Sequence, residues 1–235
     1  MVFKPLPNGS IYAGYGTSFN PSAEGLTLST NFNSAARVNV DPEESASYEL
    51  GTKWEFFNRK LLLGGAVFRT DKSNARTEDP LNPLDVVVLN GEERVDGIEL
   101  NAAGSITEDW KVFGGYTFMS SEILNSADKR LIGRELANTP ENTFSLWTTY
   151  RLPWNIELGA GARFTDQRLN TSVPARVAPD YWVFDGMATY YVNKTLSVQL
   201  NVYNLTDERY IDQLSGGHFV PGPGRSATVA VNFKF

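Results

Sequence analysis

The chain has 235 residues and a net charge of −6, from 21 Lys and Arg against 27 Asp and Glu, so it offers no basic stripe for nucleic acid. With no Cys and a single His it has neither thiolate sites nor disulfides, and one chain cannot build an imidazole metal cluster. No run of about 18 apolar residues occurs, which excludes a transmembrane helix but not a transmembrane strand, because a strand crosses with about 9 to 11 residues of which every second one meets lipid.

The opening MVFKPLPNGS has no apolar core and no small-residue cleavage site, so it is not an export signal, and the chain is expected to be the later part of a longer exported protein. From there period-two alternation predicts ten strands, over 9–19, 45–57, 60–70, 84–106, 109–122, 141–152, 155–168, 179–192, 195–205 and 224–235. Short turn-forming links fall at Asn58-Arg59, Thr107 to Asp109, Pro153 to Asn155 and Asn193-Lys194. Long links fall at about Asn20 to Glu44, Asp71 to Pro83, Asn125 to Pro140, Leu169 to Ala178 and Thr206 to Gly222. A regular exchange of short and long links is the habit of outer-membrane barrels, with tight periplasmic turns and long external loops. The reading is therefore an all-β, antiparallel transmembrane β-barrel, one domain over 1–235.

The faces agree. In the last strand Ala227, Val229, Val231, Phe233 and Phe235 alternate with Ser226, Thr228, Ala230, Asn232 and Lys234. Strand 195–205 sets Leu196, Val198, Leu200 and Val202 against Ser197, Gln199, Asn201 and Tyr203; strand 45–57 sets Tyr48, Leu50, Trp54 and Phe56 against Glu49, Lys53 and Glu55. Arg or Lys facing lipid at the bilayer midplane costs roughly 2–4 kcal/mol, and these apolar faces carry none. Strand 60–70 stays open, since Leu61, Leu62 and Leu63 occupy both faces. Tyr12, Phe56, Trp110, Tyr150, Trp154, Trp182, Tyr191 and Tyr203 stand at strand ends, where interfacial aromatic girdles are expected. A soluble β-sandwich would also alternate, but its outer aromatics would leave a large bare patch.

Three stretches resemble the C-terminal part of TonB-dependent receptors of the siderophore branch. They are DPEESASYELGTKWEF (Asp41 to Phe56), RVDGIELNAAGSITEDWKVFGGYTF (Arg94 to Phe118), and NVYNLTDERYID (Asn201 to Asp212) followed by PGPGRSATVAVNFKF (Pro221 to Phe235). The resemblance implies that the ten strands belong to a larger, roughly 22-stranded barrel with a plugged lumen. The plug and the TonB-contacting box have no counterpart in this chain. It also implies import of a ferric siderophore, TonB as partner, contact with outer-membrane lipid, and Phe235 as the insertion signal read by the barrel assembly machinery. The Ser-Ala-Arg-rich loop and the PGPGRS approach look closest to the catecholate branch. Cobalamin or a carbohydrate as substrate, or a self-contained ten-stranded outer-membrane enzyme or adhesin, are the alternatives.

For an anionic ferric siderophore the candidate contacts are Arg134, Arg163, Arg168, Arg176, Tyr181 and Arg225, because guanidinium groups attract anions and aromatic rings stack on flat ligands. For Arg225 the competing role is to anchor its loop through backbone carbonyls. The iron is expected to come as cargo inside the chelator, with no cofactor held by protein ligands. His218 beside Gly216 and Gly217 reads as a loop tip, although with Asp212 it is the one pair an enzyme reading would use.

Overall fold

The computed structural model describes residues 1–20, 41–78, 86–170, 175–215 and 218–234. The strands are β1 (Val2–Leu6), β2 (Gly9–Asn20), β3 (Glu43–Phe56), β4 (Leu61–Glu78), β5 (Val86–Ser105), β6 (Trp110–Asn125), β7 (Asn142–Leu152), β8 (Ile156–Thr165), β9 (Arg168–Leu169), β10 (Val177–Ala178), β11 (Tyr181–Tyr191), β12 (Leu196–Tyr203), β13 (Ile211–Ser215), β14 (His218–Pro221) and β15 (Ser226–Phe233). Eleven form one antiparallel sheet in the order β1-β2-β3-β4-β5-β6-β7-β8-β11-β12-β15, while β9 with β10 and β13 with β14 form small ladders inside two of the long links. Because eleven is odd, β1 and β15 run in the same direction, so an antiparallel closure needs an odd number of further strands.

Cross-strand register turns the period-two pattern into two continuous surfaces. Trp110, Tyr150, Leu158, Ala188, Leu200 and Val229 lie in one row across six strands, and every member is apolar or aromatic. On the opposite face Lys53, Gly64, Asn101, Gly115, Ser145 and Arg163 form a row of small, polar or charged residues. Among the described residues only Leu61, Ala75, Ala178 and Val183 are buried apolar side chains, whereas Val229, Val231 and Phe233 stay 59–68% exposed. A soluble sandwich buries one face of each sheet against the other; this single layer leaves its apolar face open, as lipid contact requires.

The sheet settles several sequence expectations. Leu61 and Leu63 join the apolar face opposite Phe56 and Trp54, and Leu62 joins the polar face opposite Glu55. An eleventh strand, β1, precedes the predicted ten; Pro5 and Pro7 hid it from propensity, yet an edge strand tolerates proline. β4 runs to Glu78, well past the predicted end at 70, while β5 lies within the predicted 84–106. The outer part of this hairpin is polar, but the ladder continues to Glu78↔Val86 with Arg69–Asp96 and Asp71–Arg94 ion pairs, both 2.6 Å, crossing between the strands. Of the predicted girdle, Phe56, Trp110, Tyr150 and Trp182 share the apolar face, but Tyr12 and Tyr191 lie on the polar one, where Tyr12 donates to Glu49 and Tyr191 to Glu157. Alternation from a single strand end cannot tell a ring at the membrane interface from one bonded to a carboxylate.

The short links are tight turns with backbone in the left-handed region at Asn58 (φ 55°) and Asn155 (φ 59°), where Asn is the side chain that tolerates it. The link from β12 to β15 is tied at its root. Asn204, buried and at φ 51°, donates from Nδ2 to the carbonyls of Glu208 (2.9 Å) and Pro223 (3.0 Å) and accepts the Glu208 N–H at Oδ1 (2.8 Å). Asp207 accepts the Arg225 N–H at 2.8 Å, and Arg225 Nη1 donates to the Leu205 carbonyl at 3.4 Å, the anchoring role weighed above.

Two outcomes follow from these arrangements. Leu200→Lys, at the centre of the apolar face, is expected to destabilise the barrel in lipid vesicles by roughly 2–4 kcal/mol, while Gln199→Lys next to it changes stability by less than about 1 kcal/mol, both read from denaturant midpoints. Asn204→Ala strips three hydrogen bonds from a buried turn, each unsatisfied group costing about 1–3 kcal/mol, and should speed tryptic nicking at Arg209 with the barrel strands intact.

Candidate functional site

The long-link ends of β8 and β11 bring charged and aromatic side chains together on the polar face. Register places Val183 opposite Arg163 and Tyr181 opposite Thr165, so Arg163, Tyr181 and Asp185 emerge on one surface. Asp185 holds two elements together: its Oδ1 accepts the Asn204 N–H at 2.8 Å, and its Oδ2 lies 3.7 Å from Arg163 Nε. At that distance the Asp185 contact is loose, and the Arg163 side chain stays 54% exposed, which leaves the guanidinium accessible to an anion in the lumen.

Beside it the Tyr181 and Tyr210 rings lie against each other with centroids 4.3 Å apart and planes tilted by 31°. Tyr210 reaches this place because Gly222 leaves room for its ring; a Cβ at Gly222 would stand 2.1 Å from the Tyr210 Cζ. Burial raises the Tyr210 pKa above the usual phenol value of 10.0, Arg163 acts against that shift and Asp212 adds to it, so the phenol is neutral and able to donate at physiological pH. Arg168, 5% exposed, lies with its guanidinium carbon 5.7 Å from the Tyr181 ring centre.

Of the six sequence candidates the structure therefore gathers three, Arg163, Arg168 and Tyr181, into one cluster. Arg134 sits in the β6–β7 link with its backbone bonded to Ile123 and Leu131. Arg176 precedes β10, where its N–H donates to Asn170 Oδ1 and its carbonyl accepts from Asn170. Arg225 belongs to the tie described above. Phe235 lies outside the described residues. His218 is exposed on β14, paired with Ser215. Sequence reasoning passed over two cluster members. Tyr210 closes the quoted N-L-T-D-E-R-Y motif and was legible there, and Asp185 stands at a polar-face position of its strand.

A concavity of about 710 Å³ opens elsewhere, at the outer ends of β2 to β6, between residues such as Tyr15, Phe19, Glu44 and Arg94. Its cations are engaged, Arg94 with Asp71 at 2.6 Å and Lys72 with Glu43 at 3.2 Å, so it presents less free positive charge than the Arg163 cluster.

The chain matches the family model described as TonB dependent receptor-like, beta-barrel, over residues 1–205. It is 38% identical over 251 aligned residues to the probable TonB-dependent siderophore receptor PiuA of Acinetobacter baumannii, an alignment that takes in 100% of this chain and 33% of that protein. To the catecholate siderophore receptor Fiu of Escherichia coli K12 it is 37% identical, over 97% of this chain and 31% of the relative. The crystal structure of PiuA overlays with a TM-score of 0.88 at 37% identity, covering 100% of this chain and 35% of that one. The closed form of Fiu overlays with a TM-score of 0.83 at 34% identity, again over 100% of this chain and 34% of the other. This chain thus spans about a third of the length of the relatives it matches. A family model matched over most of the residues, together with an open sheet that follows part of two solved receptor barrels, establishes that the chain belongs to the TonB-dependent receptor β-barrel family of the outer membrane.

Proposed function

We propose that this chain supplies barrel wall and external loops to an outer-membrane receptor that imports ferric siderophores of the catecholate class with energy delivered through TonB. The observation that carries the reading is the tilted Tyr181–Tyr210 ring pair flanked by the accessible Arg163 on the wet face of the sheet, at its long-link end. A ferric catecholate is multiply anionic and presents flat aromatic rings. Arg163 supplies charge-assisted hydrogen bonds, and the two phenols supply a stacking surface and a neutral donor. The name of Fiu points to the same class, and that of PiuA to siderophores in general.

In this reading the iron is cargo, held throughout by the chelator. The chain acts as a binding wall and not as an enzyme, since the relatives are named receptors and His218 sits exposed on a hairpin.

Ligand binding to the full-length receptor, followed by quenching of tryptophan fluorescence, tests this. Arg163→Ala is expected to weaken a ferric tris-catecholate about tenfold or more, the worth of one charge-assisted hydrogen bond. Arg130→Ala, whose guanidinium is paired with Asp128 at 2.7 Å in the β6–β7 link, should leave affinity unchanged. A ferric hydroxamate, uncharged and without rings, should bind more weakly than the catecholate. Equal affinity for both chelates, or no effect of Arg163→Ala and Tyr181→Ala, would overturn the assignment.

A further inference from the structure

We infer that Arg168 is a positioning residue rather than a ligand contact, and that its guanidinium clamps three external loops into one unit that holds the Tyr181–Tyr210 platform. The inference deepens the function proposed above and rests on it for its ligand, although the clamp itself can be measured without any ligand.

Arg168 lies on the short β9 strand in the link between β8 and β11, and its hydrogen bonds leave that link in two directions. Nη1 donates to Asn138 Oδ1 at 3.3 Å, in the β6–β7 link, and to the Asp212 carbonyl at 2.6 Å, in the link between β12 and β15. Nη2 donates to the neighbouring Ile211 carbonyl. The backbone repeats one of these connections, since the Asn138 N–H donates to the Leu169 carbonyl at 2.8 Å. Locally β9 is held in place by its ladder to β10, Leu169 opposite Val177 and Arg168 opposite Ala178.

The geometry requires a planar fork. One guanidinium presents several N–H groups at fixed angles and can serve acceptors on separate loops at once, whereas an ammonium on a flexible stem is a point charge. Both platform rings adjoin it. Tyr181 lies against the guanidinium, and Tyr210 directly precedes Ile211, whose carbonyl the guanidinium holds. A buried cation gains from such bonds only while all of the loops are in place, because bare burial of a charge is costly. The three loops therefore order together. A siderophore contact would need the guanidinium to face the lumen; at 5% exposure it does not.

Hydrogen exchange on the full-length receptor separates the possibilities, using Arg168→Ala, Arg168→Lys and Asn138→Ala. Arg168→Ala is expected to raise exchange about tenfold or more in peptides from all three loops, around 134–142, 166–170 and 206–214, with β8 and β11 unchanged. Arg168→Lys keeps the charge but not the fork, so it should behave like the alanine variant in exchange and in affinity for a ferric tris-catecholate. Asn138→Ala removes one acceptor and should loosen the β6–β7 link more than the other two. Loosening confined to 166–170, or full rescue of both readouts by Lys, would overturn the clamp. Loss of protection in β8 and β11 with Arg168→Ala would show a general folding role instead, and the milder Asn138→Ala then decides: no loosening of the β6–β7 link overturns the clamp as well. If the unmodified receptor fails to bind the chelate while the three loops still loosen together, the clamp stands and the catecholate assignment falls.

Discussion

A polypeptide that lies in lipid has no water to satisfy its N–H and C=O groups, so every strand must find its partners in another strand. That constraint organises this molecule. It demands long, regular ladders such as the twelve register pairs joining β2 to β3, and it pushes irregular backbone to the sheet's two ends. It also explains the near-absence of a dry core: the apolar side chains face outward because the medium they meet is itself apolar, and the polar ones face a wet lumen, so neither face needs a second protein layer. The same requirement bears on the edges at β1 and β15, each of which needs a further strand beside it for the wall to exist in a membrane.

Where the chain leaves the bilayer the constraint relaxes and a different physics takes over. In the links, side chains do the work that ladders do in the wall. Asn204 satisfies the turn after β12, Asp207 and Arg225 tie that turn to the start of β15, and Arg168 reaches across three links. Most of these interactions are side chain to backbone, so each depends on a loop having already come to the right place. The cluster around Arg163, Tyr181 and Tyr210 is the product: two of its members are fixed by strand register, the third by a loop that others hold.

Glycine and aromatic residues share a role on the polar face. The Tyr12 ring covers Gly51 and the Trp147 ring covers Gly161, each at a distance that a side chain in place of the glycine would not allow. Large rings lying flat on such cross-strand glycines keep the ladder shielded from water without filling the lumen. The composition of many glycines and many aromatics is thus one feature rather than two.

What the amino-acid order determined by itself was everything that depends on a period of two: the number of strands in the wall to within one, the identity of each face in β3, β12 and β15, and the alternation of short and long links. Those are local properties, written in residues i and i+2, and lipid on one side with water on the other leaves only one way to read them. The N-L-T-D-E-R-Y motif likewise marked its turn. The tertiary structure alone decided the rest. It assigned Leu62 to the lumen and Leu61 and Leu63 to the other face, because three leucines in a row carry no period and only the pairing with Glu55, Phe56 and Trp54 breaks the tie. It carried β4 beyond its apolar stretch, because cross-strand ion pairs join positions over twenty residues apart. And it divided the six candidate side chains, leaving Arg163 accessible and Arg168 buried among carbonyls from two other loops, a distinction between two identical guanidinium groups that lies in their surroundings and not in their chemistry.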